Sequence, residues 1–158
     1  MIIERLAQPD AIPRSSERGA KMADNAQFLR GLYEAFAKGE VPTVLAAMDP
    51  GIEWNEAEHG TFWPGHSFIG PEAVVEGVFA RIPATFGDTF RIEINRLLDS
   101  GSVVVMEGRY KGIVQATGKA VDAQVIHVWD IADGKIAKFQ QYTDTWQFAE
   151  ATGETPLT

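Results

Sequence analysis

The 158-residue chain contains no cysteine. A disulfide scaffold, a thiol nucleophile and a thiolate zinc site are therefore excluded, and the composition fits a reducing compartment. Basic charge is also scarce. Lys and Arg number 14 against 22 Asp and Glu, a formal net charge of −8. Binding to the phosphate backbone requires a basic footprint, so no nucleic-acid partner is expected. No stretch approaches the ~20 consecutive apolar residues that span a bilayer. The N-terminus reads MIIERL, with charges where the apolar core of a signal peptide would run. The expectation is a cytoplasmic protein with no membrane partner. A Gly-rich phosphate loop after a strand is missing, and so is a Gly-x-Ser-x-Gly elbow; no cofactor is expected.

What is present is a core. Hydrophobic residues make up 45% of the chain, with nine Phe, four Trp and three Tyr. That excludes disorder as the main state, and the length suits one domain. Residues 1–22 read as an irregular N-terminal arm, 23–150 as a single domain and 151–158 as a C-terminal tail. Within the arm, AQPDAIPRSSERGAK (residues 7–21) has two prolines and no period. A first helix is expected from a cap at Asp24 or Asn25. Its apolar stripe is Phe28, Leu29, Leu32, Tyr33 and Phe36, and Gly39 stops it. A short second helix follows around Pro42, then a turn at Asp49-Pro50-Gly51 and a strand over Ile52–Glu56. A third helix is expected from Pro71 to Ile82, ended by Pro83.

Beyond Pro83 the hydrophobic period changes to two. Strands are expected over Thr89–Asp99, Ser102–Lys111, Lys119–Ile131 and Lys135–Thr143, separated by turn signals that include Thr117-Gly118 and Asp133-Gly134. Helices followed by a run of antiparallel strands is an α+β order.

Several stretches carry a family resemblance over about Asp24 to Ala149. They are Trp54-Asn55-Glu56, Gly70-Pro71-Glu72-Ala73-Val74, Val103-Val104-Val105, Ile126-His127-Val128-Trp129, Asp133-Gly134-Lys135-Ile136 and Gln141-Tyr142-Thr143-Asp144-Thr145. With this element order, the chain resembles the SnoaL-like polyketide cyclases and ketosteroid isomerase-related proteins of the nuclear transport factor 2-like superfamily. The resemblance implies a cone-shaped, curved antiparallel sheet with three helices packed on its concave face, the cystatin-like α+β fold. It also implies a site in the mouth of the cone. The superfamily hosts isomerases, cyclases, dehydratases and binding proteins, so fold alone does not give function.

Strand parity selects the candidate residues. Ala123, Val125, His127 and Trp129 share one face. In ketosteroid isomerases an acid at the His127 position donates a hydrogen bond to the substrate oxygen. The resemblance therefore places His127 inside, as donor to an enolate oxygen or as a proton carrier. By the same resemblance Glu56 takes the place of the catalytic base, beside Trp54, where desolvation would raise its pKa. A one-residue register slip would put Asn55 inside instead. Val105, Glu107 and Arg109 share a strand face. If that face is inward they line the cavity, the charges as a pair; otherwise they form an outward ion pair. Phe139 and Gln141 line the cavity by alternation. Asp144, three residues before Gln147, reads as a helix cap. The loop Glu58–His66 carries two His, a Phe and a Trp; Trp63 is the expected lid, and no metal site is expected.

The function expected is cofactor-free acid–base chemistry on an apolar carbonyl compound: isomerisation, dehydration or aldol cyclisation. The alternative is a non-catalytic pocket for an apolar ligand. Ile126 and Val128 point away from His127, so the outer sheet face is apolar as well. The resemblance implies that it is covered in a homodimer.

Overall fold

The computed structural model describes the backbone of residues 15–154 and the side chains of residues 25–154. Residues 1–14 of the expected arm and 155–158 of the expected tail lie outside the described residues. Helix α1 spans Ser15–Ala37, so helical structure begins inside the segment read as irregular. The apolar stripe from Phe28 to Phe36 occupies only its second half, and only that half is legible as an amphipathic pattern. Asn25 does not cap the helix. Its side-chain amide donates to the Gly101 carbonyl at 2.5 Å, across to the far end of the sheet.

The short helix α2, Val41–Ala46, carries Pro42 in its first turn, where the missing N–H costs nothing. Strand β1 covers Met48–Asn55. The expected turn at Asp49-Pro50-Gly51 is instead a bulge inside β1, whose register against its neighbour shifts between Met48 and Glu53. Asp49 accepts from the Gly51 N–H at 2.8 Å; a local side-chain bond kinks the strand without ending it. After β2, Phe68–Ile69, the third helical stretch runs as α3 (Pro71–Val74), a π-helical turn (Val75–Phe79) and α4 (Arg81–Phe86). Pro83 does not end this stretch. The break after the π-turn makes Ala80 the cap of a new helix, so Pro83 falls in its first turn among N–H positions without an intrahelical acceptor. Gly87, at φ 62°, ends it.

The strands β3 (Arg91–Asp99), β4 (Val103–Ile113), β5 (Ala120–Ala132) and β6 (Lys135–Thr143) sit close to their expected positions, and α5 spans Thr145–Thr152. Asp133 and Gly134, both at positive φ, make the tight turn between β5 and β6. Asp144 caps α5, accepting from the Gln147 N–H at 3.2 Å. The six-stranded sheet has the order β2-β1-β6-β5-β4-β3. Every pairing is antiparallel except β1 with β6. This is the curved, open α+β sheet the resemblance implies, with the helices on its concave side.

A second bulge decides what reaches the interior. The β3–β4 register shifts between Ile94 and Arg96, so Ile92 and Ile94 face inward before it and Leu97 after it. Gly108, opposite Ile94, makes the approach possible: a Cβ there would lie 2.2 Å from the Glu93 carbonyl oxygen.

Candidate active site

Burial alternates cleanly along β5. Val121, Ala123, Val125, His127, Trp129 and Ile131 are buried, and their neighbours are not. On β4 the buried set is Val104, Met106, Gly108, Tyr110 and Gly112. The cavity assignments of Val105, Glu107 and Arg109 are therefore overturned: these residues lie on the outer face. Glu107 pairs with Arg96, and Arg109 Nε meets Asp122 Oδ1 at 2.5 Å. The reason is desolvation. Turning the strand over would bury two charges and expose Val104 and Met106. Across the outer face, Val105 stands opposite Val128, and Ile126 opposite Tyr142.

Between sheet and helices lies a cavity of about 80 Å³. Its walls are apolar, from Leu29, Leu32 and Phe36 on α1 and from Val78, Phe79 and Ile82 on the interrupted helix. Trp54, Glu56, His127, Trp129, Phe139 and Gln141, all expected at the cavity, line it. Val125 is buried on the same face but does not reach the cavity. Trp63 does not line it either. Its ring lies 4.7 Å from that of His59, and from the same loop Gly60, Thr61 and Phe62 line the cavity instead. Arg81 holds this loop, its guanidinium 4.9 Å from the Phe62 ring and donating to the Thr61 carbonyl at 2.9 Å. His59 and His66 turn to different neighbours, and no group of metal-binding side chains occurs among the described residues.

The polar floor is one connected chain. Trp129 Nε1 donates to the Tyr33 hydroxyl oxygen at 2.8 Å. That hydroxyl lies 2.7 Å from His127 Nδ1, while His127 Nε2 meets the Tyr110 hydroxyl on the other side. Gln141 Nε2 donates to the Tyr110 oxygen at 2.9 Å, and Gln141 Oε1 accepts from the Ala57 backbone N–H at 3.1 Å. That backbone contact sets the orientation of the amide, since an N–H can face only the carbonyl end. Beside it, Glu56 Oε1 accepts from Trp54 Nε1 at 2.6 Å. The Gln141 amide also favours the Glu56 anion.

Burial sets the electrostatics. It raises Glu56 to about 7, against the opposing pull of Trp54, Gln141 and the Arg81 charge. It holds His127 neutral by lowering its pKa to about 3. Tyr110 is pushed well above the ordinary phenol range by burial and then by the Glu56 charge, and burial raises Tyr33 in the same way. At neutral pH the site therefore holds a carboxyl poised to gain or lose a proton, beside neutral donors in an apolar enclosure.

The two tyrosines are the functional residues that sequence reasoning missed. Tyr33 reads in the sequence as part of the helical stripe, and Tyr110 carries no motif of its own. The available signal was chemical: a phenol on an apolar face needs a partner for its hydroxyl, and His127 was the buried polar group able to supply one.

A model of the SnoaL-like domain family matches residues 29–139. The chain belongs to that family. Among solved structures it is similar to a nuclear transport factor 2-like protein from Burkholderia thailandensis E264. The two share 31% identity over 80% of this chain and 95% of that one, at a TM-score of 0.74. A protein assigned as a SnoaL-like polyketide cyclase from Jannaschia sp. CCS1 is 17% identical over 92% of this chain and 100% of that one, with a TM-score of 0.72. A protein assigned as an isomerase from Bacillus subtilis is 20% identical over 89% and 99%, with a TM-score of 0.66. Those last two likenesses carry the SnoaL-like fold and no more. No curated protein matches the chain in sequence. No helix among the described residues is long and apolar enough to cross a membrane.

Proposed function

We propose that this SnoaL-like protein is a cofactor-free acid–base enzyme for a small apolar carbonyl compound. One observation carries the reading: Glu56 and the Tyr33–His127–Tyr110 chain line one otherwise apolar cavity, with Gln141 bonded both to Tyr110 and to the backbone N–H next to Glu56. Glu56, raised to about 7, removes a proton from the carbon next to a carbonyl. The resulting enolate oxygen accepts a hydrogen bond from a tyrosine hydroxyl. Glu56 then returns the proton to another carbon, which is isomerisation. In a dehydration the enolate expels the β-hydroxyl, which takes the Glu56 proton and leaves as water; in an aldol cyclisation the enolate carbon attacks a second carbonyl, whose oxygen takes that proton. His127 orients the tyrosines; both its ring nitrogens are already engaged.

The competing reading is a binding pocket without turnover. It draws on the size of the cavity, since about 80 Å³ is less than the ~150 Å³ of an apolar cavity that takes up benzene. Entry of a ring therefore needs lining side chains to move apart. Thermal shift against small cyclic enones and 1,3-dicarbonyl compounds finds ligands. Proton NMR of each hit in D₂O then reads exchange at the carbon beside the carbonyl. Exchange that disappears in Glu56→Gln is the expected result. Stabilisation without exchange assigns the pocket to binding alone.

We further propose a homodimer through the outer sheet face. Val105, Ile126, Val128 and the half-exposed Leu98 give it an apolar centre, with Tyr142 at 58% exposure beside them. Ion pairs such as Arg109–Asp122 lie on the same face, the arrangement of an apolar centre with a polar rim.

A further inference from the structure

The chain Trp129–Tyr33–His127–Tyr110–Gln141 holds one hydrogen more than it can use. Both tyrosine oxygens receive a fixed donor, Trp129 Nε1–H at one end and the Gln141 amide at the other. Neither donor can reverse. The indole nitrogen has no acceptor capacity, and the amide is oriented by Ala57. Between them lie two contacts, Tyr33 to Nδ1 and Tyr110 to Nε2. Three hydrogens are available for those contacts: two hydroxyl protons and the one N–H of a neutral imidazole. One hydroxyl proton is always left over.

The tautomer of His127 decides which. With the hydrogen on Nε2, the ring donates to Tyr110 and accepts from Tyr33, and the spare O–H belongs to Tyr110. With the hydrogen on Nδ1, the spare O–H belongs to Tyr33. Each oxygen carries one hydrogen in both states. Only the ring hydrogen changes atoms, and the hydroxyls rotate, so the interconversion neither gains nor loses a proton. Both tyrosines line the cavity, so either state presents one donor to a ligand, at a different place.

We propose that ionisation of Glu56 selects the His127 tautomer, and through it which tyrosine presents its free hydroxyl to the ligand. The asymmetry lies in the placement of the charge. Glu56 ends β1 next to Ala57, whose N–H binds Gln141 of β6, and the same Gln141 side chain donates to Tyr110 of β4 and favours the Glu56 anion. Tyr33, on α1, sits at the other end of the chain, against Trp129 of His127's own strand. Arg81 of α4 acts on Glu56 and favours its anion. A carboxylate beside Tyr110 draws the positive end of the spare O–H toward itself, which favours Nε2–H. Protonating the carboxyl removes that pull. Burial keeps the imidazole itself from charging until about pH 3, so the ring reports the carboxyl near neutrality and not its own titration. The inference rests on the reading of Glu56 and the tyrosines as one site, but not on turnover.

The test is ¹⁵N NMR of the ligand-free protein with labelled histidine, from about pH 5 to about pH 9. Alongside it, the Glu56 carboxyl is followed by ¹³C. The expected result is a protonated Nε2 at high pH, with proton occupancy moving toward Nδ1 as pH falls, at the midpoint of the Glu56 carboxyl. Glu56→Gln, which keeps the shape and removes the charge, flattens the response at its low-pH pattern. The proposal is overturned by His127 nitrogens that do not change over this range. It is equally overturned by a midpoint that differs from that of Glu56, or by an unchanged response in Glu56→Gln. The two wild-type midpoints decide the matter even where the variant folds poorly. Loss of catalysis with the coupled midpoints intact would sink the proposed enzyme and leave this coupling standing.

Discussion

Trp54 donates its indole N–H to Glu56 Oε1 at 2.6 Å, two residues along the same face of the chain. The indole itself is stacked on Phe139, 3.8 Å between ring centres. The carboxyl is therefore held by a group that cannot turn away, and its environment is that of a core and not of a solvated acidic patch.

The first prediction concerns stability against pH. Glu56 rises from 4.5 to about 7 on folding, so the native state holds its proton more tightly than the unfolded chain. That contribution is full below about pH 4.5 and is lost as pH rises through about 7, on the order of 3 kcal/mol. Glu56→Gln carries no such loss. Relative to the native sequence it gains about 1–3 kcal/mol between about pH 5 and pH 8.5. Urea unfolding at the two pH values measures the difference, and an equal offset at both would refute it.

His127 acts in the opposite sense. Its pKa falls from 6.5 to about 3, so its contribution is full above about 6.5 and is lost as pH falls toward 3. Between about pH 4.5 and pH 6.5 the two groups oppose each other, and the stability curve is flatter there than on either side. Replacing His127 by Gln steepens the decline through this window, because only the Glu56 slope remains. Denaturant midpoints across the window test it.

The third prediction is that any activity depends on the donor chain. His127→Ala leaves both tyrosines misdirected and abolishes turnover with the fold intact. Tyr110→Phe lowers the rate by ~10²–10³, the usual cost of one donor to an oxyanion. The double variant costs little more than the worse single one, because the residues act as one unit. Full turnover in His127→Ala, with the far-ultraviolet spectrum unchanged, would exclude a role for the chain.

Much of this architecture is legible in the sequence because it rests on period. The strand limits and the shared face of His127 and Trp129 follow from alternation, and the family resemblance turns that face inward. Positions where a bulge or a break resets the count are not legible: Asp49-Pro50-Gly51 inside β1, the Ile94–Arg96 shift in β3, and Pro83 restarting a helix. The parity of Glu107 and Arg109 was open because Val103 and Val105 are as apolar as Val104 and Met106, and only the cost of burying the two charges decides. Of the site, Glu56, His127 and Gln141 were legible. The tyrosines between them were not, because contacts between α1, β4 and β5 join residues far apart in the chain.

The bulge in β3 makes a stability prediction. Gly108→Ala places a Cβ on the Glu93 carbonyl oxygen, a backbone atom that cannot move aside. The strand pair must separate, at a cost of about 1–3 kcal/mol or more. Thermal unfolding reads this directly; a variant as stable as the parent would show that the β3–β4 approach is looser than described.

For assembly, sedimentation equilibrium distinguishes a 17.3 kDa monomer from the proposed homodimer. Val128→Lys puts a charge at the centre of the outer face and dissociates the pair. Ligand-induced stabilisation persists, because His127 and Trp129 face the other way. A species that is monomeric at micromolar concentration in the native sequence excludes the dimer.

The single parallel pairing, β1 with β6, has a consequence for how the chain is made. β1 emerges early in synthesis, yet its only long neighbour in the sheet is the last strand. Glu56 follows the first of these strands and Gln141 sits on the second, so the site straddles the longest loop closure in the sheet. A growing chain carries Glu56, His127 and both tyrosines before Gln141, the partner of Tyr110 and of the backbone beside Glu56, has left the ribosome. Closure across so many residues is slow. The burial that perturbs the acidity of Glu56 therefore requires β1 and β6 to have come together.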